Sequence, residues 1–530
     1  MKRLLRAGLA ALAVGLLGAC VPAGQSRAGA NTLVFTGLAG EPDSLDPLIT
    51  TMSDVSSLAH LYLSYLVETD DRGRLVPEIA TAVPTQANGG ISADGRTIVY
   101  DLRRGVRWQD GAPLTARDVI FTYRAAVNPG NDVPVRVGYD EVSSIRADGD
   151  YRVVVRLRRP FAPFVSWFMG PEGYGLLPAH LLEGYRTLNH VPYNALPVGS
   201  GPFRVVQWSH GDRVVLVANP SYWRGRPRID RIVYRIVPDP NTRLELLQTG
   251  EADAYFDADP LLLPRLRALA GVVVTLTPIN DMHVLRFNLR DPVLADPSVR
   301  RAIAMAIDRP QLIEAATHGS GIVVDADQPR NGWAYDGAVA HLAYDPAAAR
   351  RLLAGRKLSL TLAVSPAGIN GSALAAAVIQ RNLHDAGIEV AIKTYPMAQL
   401  WGPAAAGGVM ASGHFELAYD AWWVLSPDPD DSWNLACDQR PPNGENYDDW
   451  CDPVAERAME DALARYDPSE RARDYAVIQR EIVRELPFLT LWQVRMPDAY
   501  RTRLHGVAPA PFGSIFWNAW KWYLSPARRR

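Results

Sequence analysis

The 530-residue sequence has little that would support covalent chemistry. It contains no G-x-S-x-G elbow, no H-E-x-x-H, no G-x-x-x-x-G-K and no G-x-G-x-x-G behind a strand, which removes the common hydrolase, zinc-protease and nucleotide-binding signatures. Its ten histidines are scattered without ligand spacing, so no metal and no cofactor is expected. A formal net charge of −2 leaves no basic excess for nucleic acid. Three cysteines are too few for a disulfide-built scaffold, and no apolar run beyond the N-terminus is long enough to span a bilayer. Internal repeats and low-complexity linkers are missing too. What remains is an ordinary globular composition in a chain long enough for two or three lobes.

The N-terminus stands apart. Lys2, Arg3 and Arg6 precede an apolar stretch from Leu9 to Leu17, the layout of an export signal. Leu17, Gly18, Ala19 and Cys20 close it as a lipobox would, so residues 1–19 are expected to be a lipoprotein signal peptide. Cys20 is then the lipidated residue and 20–30 a tether; an ordinary cleavage after Ala30 is the alternative. Export places the other two cysteines, Cys437 and Cys451, in an oxidising space, where a pair this close is expected to form a disulfide. No histidine lies between or beside them to complete a metal site.

Residues 199–254 carry the most ordered pattern. Gly199 and Gly201 flank Ser200, a run that lets two backbones approach closely. Phe203 to Trp208 and Val214 to Val217 read as a hairpin, Ile229 to Val237 as a third strand, and Thr242 to Thr249 as a helix closed by Gly250. Elsewhere, Thr115 and Asp118 form a capping box, and Asp296 with Pro297 opens a helix carrying Val299, Ile303 and Ile307 on one face. A strand is expected from Asn280 to Leu289 and another from Leu489 to Val494. Leu358 to Val364, Ser372 to Ala386 and Ile388 to Ile392 give a β-α-β order, hence parallel strands.

These blocks, in this order, resemble the extracellular solute-binding proteins of ABC importers, specifically the large peptide/nickel-type family. The Gly199 to Phe203 run, the Asn219 to Pro227 run, Asp110-Gly111 followed by Thr115 to Val119, and Phe287-Asn288 followed by Val299 to Arg309 all match its motifs. The resemblance implies an α/β fold of the periplasmic-binding-protein type II, with two lobes around a hinge and an inserted α+β domain. Lobe I is expected from 31–76, 198–276 and 500–530, the inserted domain from 77–197, and lobe II from 277–499. It further implies a monomeric binding protein rather than an enzyme, in the periplasm or at the cell surface and anchored through Cys20. Its expected partners are a small-molecule or peptide ligand and an ABC permease with its ATPase.

Candidate ligand contacts cluster in the segment 415–433. Trp422 and Trp423 end an alternating strand, and a Pro-Asp loop with Asp428, Asp430 and Asp431 follows. In peptide-binding members of the family an aspartate ahead of the D-P turn pairs with the ligand's amino group. The aligned position here is Leu425, next to Ser426, and the arginine expected before the helix at Ser372 is missing. Trp401 matches a tryptophan of the family's Y-x-x-x-x-W region, and Glu41 a first-loop glutamate that borders the pocket in oligopeptide-binding members; both are candidate ligand contacts. A non-peptide solute (an oligosaccharide, a metal chelate or an opine-like compound) is the alternative ligand class. An exported glycosidase using Asp428 and Asp430 is the alternative enzyme.

Overall fold

The computed structural model describes residues 31–37, 40–50, 52–171, 173–366, 371–423 and 427–526, with the side chains of 53, 54, 422 and 423 outside that description. A ten-stranded mixed sheet organises the chain. Across it run Ile388–Thr394, Leu358–Val364, Leu417–Trp423, Val272–Phe287, Phe488–Arg501, Ala254–Tyr255, Thr32–Thr36, Arg231–Arg235, Arg213–Ala218 and Phe203–Ser209. The β-α-β reading holds, since 358–364 pairs in parallel with both 388–394 and 417–423. The expected hairpin also forms, with Phe203 opposite Ala218.

Local signals set the element ends. Asp239 caps the helix Pro240–Thr249 by accepting from the Thr242 amide, and Gly250 ends it with φ 83°. Asp296 does the same for Pro297–Ala306, whose Val299 and Ile303 are fully buried, each burial contributing about 1.5–3 kcal/mol. The Gly199–Gly201 run makes the expected close approach. A Cβ on Gly199 would stand 1.7 Å from the Tyr62 carbonyl oxygen, and the Gly201 amide donates to that oxygen at 3.0 Å.

Three packing regions follow from the sheet. Around Thr32–Thr36, Leu33 and Phe35 pack with Phe203, Ile232 and Phe256, and with Phe516 and Trp522 from the C-terminal end. At the other side Leu285, Phe287, Leu417 and Leu489 pack under helices Pro297–Ala306 and Ser372–Asp385. Met282, Val284 and Phe488 pack on the opposite face under helices Pro453–Ala464 and Pro468–Glu485. Both faces are thus covered, which is what permits the near-continuous apolar strands there. A separate cluster joins Trp108, Val119, Val153 and Phe168 around the small antiparallel sheet Thr97–Asp101, Arg152–Leu157 and Val142–Ala147.

Two strands differ from the sequence expectation in length. The strand expected from Asn280 starts at Val272, and the one expected to stop at Val494 continues to Arg501. Among the described residues they alone carry the sheet from one side to the other. Their antiparallel ladder runs from Val272 opposite Arg501 to Pro278 opposite Arg495, breaks, and resumes at Met282 opposite Gln493. Ile279, Asn280 and Asp281 therefore stand against Val494 alone. Gln493 fills the break: its side-chain amide donates to the Ile279 carbonyl at 2.9 Å and to Asn331 Oδ1 at 2.7 Å.

Candidate functional site

The strand Leu417–Trp423 lies between 358–364 and 272–287, with Met282 opposite Trp422 and Asp281 opposite Trp423. It points its carboxyl end at the Pro-Asp loop. Trp422 and Trp423 are in the strand, and Leu425 and Ser426 lie outside the described residues, as does Cys20.

The loop beyond is a clasp. Asp428 accepts two bonds from Arg471, both at 2.7 Å, and the two side chains are only 7% exposed. Arg471 also donates to the Ala462 carbonyl at 2.9 Å and to the Tyr475 hydroxyl at 3.1 Å, and its guanidinium lies over the Trp333 ring. The Trp333 indole donates to the Pro427 carbonyl at 2.8 Å, and Gln328 donates to Asp327, Pro429 and Asp431. Asp430 accepts from the Ser432 amide. Burial, then the charge of Asp428, raises the Asp430 carboxyl. Burial, then Asp327, raises Asp431. The triplet therefore holds a turn, and Asp428 is committed to a guanidinium rather than open to a substrate.

Trp401 belongs to a second network. Its indole donates to Asp420 Oδ1 at 2.9 Å, while Asp420 Oδ2 accepts from Arg286 at 2.6 Å. Arg286, fully buried, also donates to Asp448 at 2.7 Å and to Asn434 at 3.4 Å. Two carboxylates share one guanidinium in a dry site. Burial pushes Asp448 up to about 7 despite Arg286, as expected when the second negative charge has no cation of its own. Sequence reasoning passed over Arg286 and Asp420. The available signal was a charged residue at an inward position of an apolar strand in each case.

Glu41 is also engaged. Its Oε1 faces the Trp208 indole at 3.0 Å and His210 Nδ1 at 2.9 Å, and its Oε2 accepts from the Gly211 amide at 2.8 Å. It ties the first loop to the hairpin turn. Cys437 and Cys451 form a disulfide, as expected.

At the break in the long strands stand further acids. The Asp257 amide donates to Asp498 Oδ1 at 3.0 Å, and Asp257 itself has a left-handed backbone with φ 51°. Burial, then the charge of Asp257, pushes Asp281 up to about 7. Asp498 is also pushed up to about 7 by burial. His283 donates or accepts at the Tyr419 hydroxyl, 2.5 Å away, and stacks on Trp492; burial pushes it down to about 3, so it is neutral.

A mixed sheet flanked by helices, crossed by a single pair of strands and carrying a separate α+β unit, is the architecture of a type II periplasmic binding protein. Its likeness to the solved Bacillus subtilis oligopeptide-binding protein AppA in complex with a nonapeptide has a TM-score of 0.76 at 23% identity, over 93% of this chain and 99% of that one. The chain belongs to the bacterial extracellular solute-binding proteins, family 5, whose model matches residues 74–443. In sequence it is 28% identical over 499 residues to the "Probable di/tripeptide-binding protein 5" of Pseudomonas aeruginosa, covering 89% of this chain and 92% of that one. It is 25% identical over 527 residues to AppA itself, covering 95% and 93%. Among the described residues no helix is long and apolar enough to cross a membrane.

Proposed function

We propose that this chain captures a peptide between two lobes and presents the closed form to an ABC permease. The observation that carries the reading is the broken ladder. Among the described residues only the strands 272–287 and 488–501 connect the two sides of the sheet, and their pairing lapses between Pro278 and Met282. A break in a two-strand bridge is a place where backbone rotation costs few hydrogen bonds, which is what a hinge requires. Lobe I would comprise 31–76, 198–276 and 500–530 with 77–197 inserted, and lobe II 277–499, with the pivot at 278–282 and 493–495. The peptide class is supported by the names of two relatives, a probable di/tripeptide-binding protein and an oligopeptide-binding protein, each of which matches nearly the whole chain. Cys20 would anchor the protein to a membrane, and the protein would act as a monomer without covalent chemistry.

Mass spectrometry of the solute that copurifies with the protein tests the ligand class, with a peptide expected. Small-angle scattering tests the motion. The radius of gyration should fall when that solute is added back to stripped protein, and an unchanged radius would refute the hinge.

A further inference from the structure

The chain carries a formal net charge of −2, yet two of its segments, 219–229 and 499–530, hold no Asp or Glu. The first carries Arg224, Arg226 and Arg228; the second carries Lys521 and, past the last described residue, Arg528, Arg529 and Arg530. The fold brings their described parts together. The Arg228 guanidinium lies over the Tyr523 ring at 5.4 Å and that of Arg224 over Trp520 at 5.4 Å, while Tyr222 meets Trp520 at 6.4 Å between ring centres. Lys521 lies over both Trp517 and Trp520. Trp522 is fully buried, so Lys521 and Tyr523 on either side of it turn outward, Tyr523 with 39% exposure.

The acids that reach this face do not cancel it. Asp230 is taken by Arg226 and by the Asn31 side chain. Glu78, which feels the charge of Arg224, is buried, and burial pushes it up to about 7. Arg228 and Lys521, both exposed, have no acidic partner among the described residues.

A separate observation puts the tether on the same side. Asn31, the first described residue, donates to the Arg228 carbonyl at 2.6 Å, and Arg503, beside the strand pair Leu504–His505 and Tyr523–Leu524, donates to the Thr32 carbonyl at 3.2 Å. Residues 20–30 therefore join the fold next to Arg228 and Tyr523. Asn31 and Arg228 precede the parallel strands Thr32–Thr36 and Arg231–Arg235. The face thus stands at the amino ends of these strands, away from the carboxyl ends where a solute enters an α/β lobe.

We infer that Arg224, Arg228, Lys521, Trp520 and Tyr523 form a face that docks on the headgroups of an anionic phospholipid bilayer. The cations pair with lipid phosphates, and the Trp and Tyr rings, apolar in body and polar at the tip, sit at headgroup level. Docking by this end leaves the solute entrance free. The inference rests on the proposed anchor at Cys20 only as the reason that a bilayer is close.

The test is vesicle flotation of a chain that begins at Val21, which lacks Cys20 and keeps every described residue. It should float with vesicles containing phosphatidylglycerol at low salt, leave them at high salt, and stay off vesicles of phosphatidylcholine alone. Arg228→Gln with Lys521→Gln should weaken flotation at least about tenfold, since each cation near the surface contributes about fivefold. Arg228→Lys with Lys521→Arg should keep it. Arg381→Gln with Arg457→Gln removes the same charge from exposed positions on helices Ser372–Asp385 and Pro453–Ala464, and should change little. Equal losses in the Arg228/Lys521 and Arg381/Arg457 variants would overturn the docking face. So would a failure to float with phosphatidylglycerol, which would leave a protein as the occupant. Mass spectrometry of the wild-type N-terminus separates the two readings: an unlipidated Cys20 with face-dependent flotation removes the anchor and keeps the face, and a lipidated Cys20 without flotation does the reverse.

Discussion

Replacing Arg471 with methionine isolates the clasp on which the acidic loop depends. Arg471 makes two bonds to Asp428, one to the Ala462 carbonyl and one to the Tyr475 hydroxyl, with 7% of its side chain exposed. The change removes all four and strips the guanidinium from a carboxylate that is itself buried. Breaking a buried pair from one side costs roughly 3–5 kcal/mol. The pair Arg152–Asp101 is a control of similar geometry but with side chains 49% and 50% exposed, so Arg152→Met should cost only a small fraction of what Arg471→Met costs. Because a chain of several lobes need not unfold in one step, the readout is amide exchange in helices Pro453–Ala464 and Pro468–Glu485, alongside denaturant unfolding. A second variant, Arg471→Met with Asp428→Leu, should recover most of the loss, since apolar groups can replace a buried pair nearly neutrally. A loss below about 1 kcal/mol in Arg471→Met, or no recovery in the double variant, would refute the claim that the pair holds the loop.

Four shorter predictions accompany it. Asp46 is fully buried, accepts from the Leu48 amide at 3.0 Å, and is pushed up to about 7 by burial. Its folded-state value thus lies above its unfolded value of 3.8, so its contribution is complete below about pH 4 and is lost as pH rises through about 7. Asp46→Asn should remove up to about 1.4 kcal/mol per pH unit of that decline, and an unaltered slope in pH-dependent unfolding would contradict it. Peptide mapping without reductant should find Cys437 linked to Cys451, and replacing both with alanine should cost about 3 kcal/mol, as expected for closing a loop of 14 residues. Cys20→Ala should abolish lipid attachment, checked by mass spectrometry of the mature N-terminus; a start near Asn31 in the wild type would refute the anchor. With Leu425 at the aligned aspartate position, Ala-Ala should bind more weakly than micromolar, while Trp422→Ala or Trp423→Ala should weaken the copurified solute; calorimetry showing the reverse would refute both.

Much of the architecture was legible because it is written in short-range patterns. The hairpin 203–218, the helix closed by Gly250, the capped helix after Asp296, and the parallel pair 358–364 and 388–394 each depend on residues within a few positions of one another. The close approach at Gly199 and Gly201 was readable for the same reason, since only glycine leaves room for the Tyr62 carbonyl. Family membership came from the order of these blocks.

The long strands were not legible. Pro278, Pro497 and Asp498 are strand-breaking types, and local propensity keeps the strands short of them. In the folded chain the strands run on because the tertiary partners supply what is lost: the Pro497 carbonyl takes the Ala258 amide, and Gln493 fills the gap at Ile279. The site behaves likewise. Glu41 meets Trp208 across 167 positions, Arg286 meets Asp420 across 134, and Asp428 meets Arg471 across 43. No periodicity links residues so far apart, so the sequence could name carboxylates and tryptophans as candidates. Only packing could decide which of those acids hold a partner within the chain, as Glu41 and Asp428 do. The sequence determined the elements and their order through local chemistry; the tertiary structure decided how the charges pair, because pairing depends on distances that exist only once the sheet has formed.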